Sequence, residues 1–283
     1  MTAVPASSDL PTRFAAGVAM IAVASLAIWM GGWPFRLLLL AGAAVMLFEW
    51  AGMHRVPRIW AWVGTALLAA VLLGATEYLF PAGQVDEIVV GDGATMIALE
   101  QSSFDPAWIG FLAVAVAAAI LGLVSRRLTM AWAILYIGLP AFALAVLSWA
   151  WFGLVFWAMI VTWSTDIFAY FAGRAIGGPK LAPRISPNKT WAGLIGGMIG
   201  AGLLGWVAAG FFDLGAPFLW LGAVMGLVAQ LGDLYESAVK RRAGVKDSGG
   251  LLPGHGGVLD RVDGLLPVAL LTLAIPMAGL WVG

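Results

Sequence analysis

Asp233, Glu236, Ser237 and Lys240 recur at i, i+3, i+4 and i+7, the spacing that sets side chains on one face of a helix. Further on, Asp260 and Asp263 flank Arg261, and a helix starting near Gly257 would turn both acids to one side. Carboxylate oxygens from two helix ends around one point suit Mg²⁺, which completes its octahedron with water and phosphate. Asp233, Asp260 and Asp263 are therefore the candidate metal ligands, although an acidic first turn also complements a helix dipole. Between the two groups run Lys246-Asp247-Ser248-Gly249-Gly250 and Pro253-Gly254-His255-Gly256-Gly257. Glycine-flanked backbone can approach a phosphate closely and offer it N–H groups. His255 suits either a hydrogen-bonding role or proton transfer, and its type alone leaves both open.

A second polar block, 173–190, carries Arg174, Lys180, Arg184 and Lys189 with Ser186, Asn188 and Thr190. Its glycines and prolines argue against a helix through its middle. Eight residues before Arg174 stands Asp166, roughly 9 Å inside a helix end by its rise per residue. It is equally a site carboxylate or a buried structural partner. Glu49 and Glu77 also lie in apolar surroundings, without evident companions, and are expected to be structural or interfacial. These residue types together point to metal-dependent phosphate chemistry on a lipid or lipid-like substrate, because phosphoryl and nucleotidyl transfer depend mainly on positioning and charge neutralisation.

The elements that must position these groups are membrane helices. Of 283 residues, 62% are hydrophobic and 11% charged, with a mean hydropathy of +0.96. A soluble domain carries about 25% charged residues, so the bilayer has to be the solvent. Fifteen basic and fifteen acidic residues give zero formal charge, which leaves no global field to attract nucleic acid. The absence of cysteine excludes disulfides and thiolate chemistry, and two histidines cannot build a multi-histidine cage. Fifteen tryptophans suit many interfacial helix ends.

Apolar runs of about 20 residues fall at roughly 14–32, 35–53, 58–80, 107–124, 128–147, 151–172, 191–212, 217–236 and 264–282. The expected fold is all-α, a polytopic integral membrane protein of about nine transmembrane helices with no strand patterning. It forms a single membrane domain over 1–283, with N-terminal helices in 1–150 and catalytic helices in 151–283 carrying the loops 173–190 and 237–263. The first run is longer than a signal h-region and is expected to be retained. Placing the N-terminus in the cytoplasm puts fourteen of the fifteen basic residues on that side, all but Arg36, as the positive-inside rule requires. The polar clusters then face the cytoplasm.

Residues 237–263 resemble the signature of the phosphatidate cytidylyltransferases, or CDP-diglyceride synthases. The pattern is met by Ser237, Val239, Lys240-Arg241, Lys246-Asp247, Gly249, Leu252-Pro253, His255-Gly256-Gly257-Val258 and Asp260-Arg261-Val262-Asp263. Upstream, Gly232-Asp233-Leu234 with Glu236 fits as well, as do Asp166 to Arg174, Pro183, Ile185-Ser186-Pro187 and Lys189-Thr190-Trp191. Two positions depart: Ala192 stands where the family usually has an acid, and Asn188 where Lys is frequent. The resemblance implies transfer of the cytidylyl group of CTP to phosphatidic acid, giving CDP-diacylglycerol and pyrophosphate, with Mg²⁺. It implies a multi-pass enzyme of the cell inner membrane, in contact with membrane lipid, and a homodimer. Asp233, Lys240, Arg241, Lys246, Asp247, His255, Asp260, Arg261 and Asp263 would be catalytic. Arg174, Ser186, Lys189, Thr190, Ser237, Gly256 and Gly257 would bind substrate. The rival functions are a polyprenol or lipid kinase and, in another class, a transporter of a phosphate-bearing solute.

Overall fold

The computed structural model describes residues 21–80, 86–89, 95–98, 106–251 and 256–281. Among the described residues, seven helices are long and apolar enough to cross a membrane. They are α2 (Gly32–Met53), α3 (Arg58–Leu79), α4 (Ala107–Ser125), α5 (Leu128–Ala150), α6 (Phe152–Ala175), α7 (Trp191–Phe211) and α8 (Ala216–Ala243). Two shorter apolar helices flank them, α1 (Ile21–Met30) and α10 (Leu265–Met277), and a single turn, α9 (Leu259–Val262), precedes α10.

The expected nine spans are thus represented by seven long helices and two short ones. The run expected at 264–282 is apolar throughout, but its helix lasts 13 residues. It ends just after Pro276, and Gly279 then takes a left-handed φ of +70°. The span expected at 14–32 begins outside the described residues, and α1 covers its second half. α8 continues well past the expected end at 236, so Asp233, Glu236, Ser237 and Lys240 do share one helix. α5 contains a widened π turn at Ile134–Gly138, a distortion frequent at functional sites.

The fold is all-α as expected, and among the described residues strand is confined to short hairpins. Two antiparallel hairpins are present: β1 (Asp86–Val89) with β2 (Thr95–Ala98), and β3 (Lys180–Ala182) with β4 (Ser186–Thr190). Strands of three to five residues are too short to show a period of two. The second hairpin joins α6 to α7, and Thr190 ends it by capping α7, its Oγ1 accepting from the Gly193 N–H at 3.0 Å.

Packing depends on small residues. A Cβ at Gly200 would stand 2.2 Å from the Phe168 ring of α6, and one at Gly222 of α8 would stand 2.6 Å from the Ala201 carbonyl of α7. α7 therefore lies backbone-close between α6 and α8, the packing that small residues permit between membrane helices. Outward faces carry Leu123, Leu128, Phe211 and Trp220, all strongly exposed, as lipid contact requires. The basic residue that breaks the positive-inside pattern is satisfied inside the protein: Arg36 pairs with Glu77 and donates to the Phe80 carbonyl at 3.0 Å. Glu77 thus has the structural role expected of it.

Replacing Gly222 with Val forces the α7–α8 crossing apart, and overpacking of this kind costs about 1–3 kcal/mol. Thermal unfolding of the detergent-solubilised protein should show a lowered midpoint for Gly222→Val; an unchanged midpoint would contradict the close crossing.

Candidate active site at one end of the bundle

The C-terminal third of α8 supplies the polar face. The Ser237 hydroxyl donates to Asp233 Oδ1 at 3.2 Å. Lys189, brought across by β4, pairs with Asp233 Oδ2 at 2.6 Å and donates to Gln230 Oε1 at 2.9 Å. One turn further, the Lys240 ammonium sits between Glu236 and Asp260, 2.6 Å from Asp260 Oδ1. Glu236 is completely buried, and neither of its oxygens meets a well-directed hydrogen bond among the described residues. Lys240 is its charge partner.

Asp260 joins this ion pair to the loop. Its oxygens accept the Ser248 N–H at 3.0 and 3.1 Å and the Gly257 N–H at 2.8 Å. Burial works to raise its pKa, but the Lys240 hydrogen bond and these backbone donors prevail and hold it below the usual carboxylate range. The ionised carboxylate therefore grips both ends of the glycine-rich segment. Gly256, at φ +81°, takes a conformation that side chains disfavour, and a Cβ there would come within 2.8 Å of Asp260 Oδ2.

Asp263 has the opposite surroundings. It accepts from its neighbouring Gly264 N–H at 2.8 Å. Burial, then the negative fields of Asp233 and Glu236, push its carboxyl up to about 8, with Asp166 adding to the effect. Asp166 in turn lies in the fields of Asp233, Lys189 and Arg261, which places it with the site carboxylates. The expected metal ligands therefore divide. Asp233 is paired with Lys189 and Asp263 lies in the fields of Asp233 and Glu236, while Asp260 faces Lys240 and backbone donors. Among the described residues no three acidic or histidine groups are arranged to hold a metal ion. Mg²⁺ commonly uses one or two carboxylates and completes its shell with water and phosphate, so the Asp233–Asp263 region fits such an ion.

The remaining expected residues take varied places. Arg241 donates to the carbonyls of Ile185, at 3.4 Å, and Val245, at 3.3 Å, tying the β3–β4 turn to the end of α8. Lys246 and Asp247 are exposed in the loop, and Ser186 is half-buried at the start of β4. Arg174 is exposed and donates to the Tyr170 hydroxyl at 2.9 Å. The Thr190 hydroxyl is engaged as the cap of α7. His255 lies outside the described residues.

One residue that sequence reasoning left without companions has several. Glu49, near the end of α2, accepts the N–H groups of Val258 at 2.8 Å and Leu259 at 2.9 Å, and the Ser248 hydroxyl at 3.3 Å. The available signal was its position, one turn from the basic end of a span and hence on the same membrane face as the signature block.

Behind the carboxylates lies an apolar cavity of about 460 Å³ between α5, α8 and α10, whose lining includes Trp132, Tyr136, Leu231, Gly232, Tyr235 and Pro267. Gly232 is the point of contact with the charged site: a Cβ there would stand 2.5 Å from the Asp263 carbonyl. The Tyr136 hydroxyl is buried without a hydrogen-bond partner among the described residues.

A model of the cytidylyltransferase family matches residues 11–277. The chain is 37% identical over 281 residues to a phosphatidate cytidylyltransferase of Brucella abortus biovar 1 (strain 9-941), covering 93% of this chain and 92% of the relative. It is 32% identical over 271 residues to the protein of that name from Bacillus subtilis (strain 168), covering 91% and 94%. A Pseudomonas aeruginosa relative of the same name is 43% identical over 165 residues, which cover 55% of this chain and 58% of the relative.

Removing one partner of a buried ion pair costs about 3–5 kcal/mol, because the other charge is stranded. Lys240→Met should therefore lower the thermal midpoint sharply. Adding Glu236→Gln should restore part of the loss, since the fully buried one of the two stranded carboxylates is then uncharged, while Asp260 keeps its backbone donors. A double variant no more stable than Lys240→Met would show that Lys240 does not serve to neutralise Glu236.

Proposed function

This chain belongs to the cytidylyltransferase family, and we propose that it transfers the cytidylyl group of CTP to phosphatidic acid, forming CDP-diacylglycerol and pyrophosphate. The observation that carries this reading is the placement of the signature residues. Lys189, Lys240 and the Ser248–Gly257 loop gather with Asp233, Asp260 and Asp263 at one end of a membrane bundle, against an apolar cavity. A phosphate-bearing headgroup with acyl chains matches both halves of that environment. The positive-inside distribution of Lys and Arg supports a multi-pass placement in the cell inner membrane with this end toward the cytoplasm.

In the reaction a phosphate oxygen of the lipid attacks the α-phosphorus of CTP, and the bond from that phosphorus to the bridging oxygen breaks as pyrophosphate leaves. A phosphate monoester has its second pKa near about 6, so the nucleophile is already anionic at neutral pH. No general base is then needed, and His255 serves as a hydrogen-bonding group. Lys240, Arg241, Lys246 and Arg261 neutralise the triphosphate and the lipid phosphate. Lys189 and Ser186, carried by the β3–β4 hairpin, help to close the site over the nucleotide or headgroup, and Thr190, as the cap of α7, holds the end of that hairpin in place. Asp233 and Asp263, with Asp260 beside Lys240, are the groups to hold Mg²⁺, which supplies further neutralisation of the phosphates when bound.

The test uses purified protein in mixed micelles with phosphatidic acid, Mg²⁺ and CTP labelled with radioactive phosphorus in the α-phosphate. Label should enter the organic phase and should cease to do so with EDTA. Label in the lipid from γ-labelled CTP, with none from α-labelled CTP, would identify a lipid kinase instead. Asp260→Asn should lower turnover by roughly a hundredfold or more, as expected for loss of a charge that positions transferring groups, with helical content unchanged. Turnover within about threefold of the parent, well inside ordinary mutational scatter, would remove Asp260 from the machinery.

A further inference from the structure

We propose that Glu49 is a positioning residue for the reaction: from α2, outside the signature block, its carboxylate sets the position of the two ends of the glycine-rich loop, at Ser248 and at Val258–Leu259. The inference rests on the functional reading above only for its kinetic consequence; the contact itself is independent of it. Glu49 is 8% exposed, and the three donors it meets all belong to the loop or to the turn that follows it. A carboxylate out of water is tolerated when it is hydrogen-bonded or paired. Movement of the loop away from α2 would strip those donors from it together.

The glycines record the same contact. A Cβ at Gly249 would stand 2.8 Å from Glu49 Cγ and Oε1, and one at Gly257 would stand 2.1 Å from Ser248 Oγ and 2.7 Å from Glu49 Oε1. Both positions need glycine because the Glu49 carboxylate and, at Gly257, the Ser248 hydroxyl that donates to it fill the space beside them. Ser248, 6% exposed, links the two carboxylates, its N–H on Asp260 and its hydroxyl on Glu49. Val258 and Leu259, at the start of α9, are the other Glu49 donors. The loop is therefore clamped from two sides, by Asp260 from its own downstream end and by Glu49 from a helix about two hundred residues earlier. Asp260 itself is carried by α9, so Glu49 also fixes the element that presents Asp260 to Lys240.

Glu49→Gln keeps the shape but replaces one acceptor oxygen by an NH₂ that opposes a backbone N–H. A displacement of the order of 1 Å can cost about a hundredfold in rate. The variant should accordingly lose roughly ten- to a hundredfold in kcat for cytidylyl transfer, with KM for phosphatidic acid within about threefold of the parent. Ser248→Ala should lose less, and the double variant should be little worse than Glu49→Gln alone, because both act on one clamp. Glu77→Gln, far from the loop, serves as the control and should keep its kcat. Amide hydrogen exchange without substrate gives the readout that does not depend on activity: Val258 and Leu259 should lose protection by roughly tenfold or more in Glu49→Gln and keep it in Glu77→Gln. Unchanged protection, or a kcat within about threefold of the parent, would overturn the proposal. Should Glu49→Gln fail to fold, Ser248→Ala and Glu49→Asp put the same question, and unchanged protection and kcat in both would overturn it equally. A parent protein that transfers no cytidylyl group while its Glu49→Gln variant loses protection would refute the functional reading and leave the clamp standing.

Discussion

The Lys240 ammonium, shared between Glu236 and Asp260, is the interaction on which the rest of the site depends. Glu236 is fully buried near the end of a membrane helix, where an unmatched carboxylate is costly. Lys240 answers that charge and in the same position holds Asp260 ionised. An ionised Asp260 can then accept three backbone hydrogen bonds from Ser248 and Gly257, which draws the two ends of the loop onto one carboxylate. One cation thus ties together α8, the loop and the short helix α9. Asp263, three residues away, lies instead in the negative fields of Asp233 and Glu236, which together with burial raise its pKa. The division separates a loop-holding half around Lys240 from a second half, Asp233 and Asp263, suited to a cation.

The bundle's role is to make these groups meet. Lys189 reaches Asp233 because a short hairpin spans α6 and α7 and because glycines let α7 lie against both α6 and α8. The N-terminal helices contribute more than membrane anchorage. α2 brings Glu49 under the loop, and α5 forms one wall of the apolar cavity behind Asp263. A water-facing scaffold could not offer that juxtaposition of hydrocarbon and phosphate environments at one helix end. The reaction assigned to this site needs both.

Much of this was legible in the sequence, and the limits have physical causes. Long apolar runs identified the seven long helices because each must match the hydrocarbon thickness. The i, i+3, i+4, i+7 spacing placed Asp233, Glu236, Ser237 and Lys240 on one face because that geometry is local. The shortened α10 escaped notice because its residues remain apolar after the helix stops, and the hairpins because strands of three to five residues leave no pattern. The partners of Glu49 were invisible for a different reason. A single acid in an apolar run looks the same whether it meets lipid headgroups or the backbone of a loop 199 residues away. Thr190 shows the same ambiguity at short range, since its hydroxyl caps α7 in a segment whose composition equally suits substrate contact.

The most direct measurement is a structure of the enzyme with a non-hydrolysable CTP analogue and Mn²⁺ in place of Mg²⁺, with anomalous scattering locating the metal. The expected result is metal density beside Asp233 and Asp263, with the triphosphate between them and Lys240 at the mouth of the Ser248–Gly257 loop. Triphosphate bound away from the end of α8, or metal density remote from both carboxylates, would contradict the site described here.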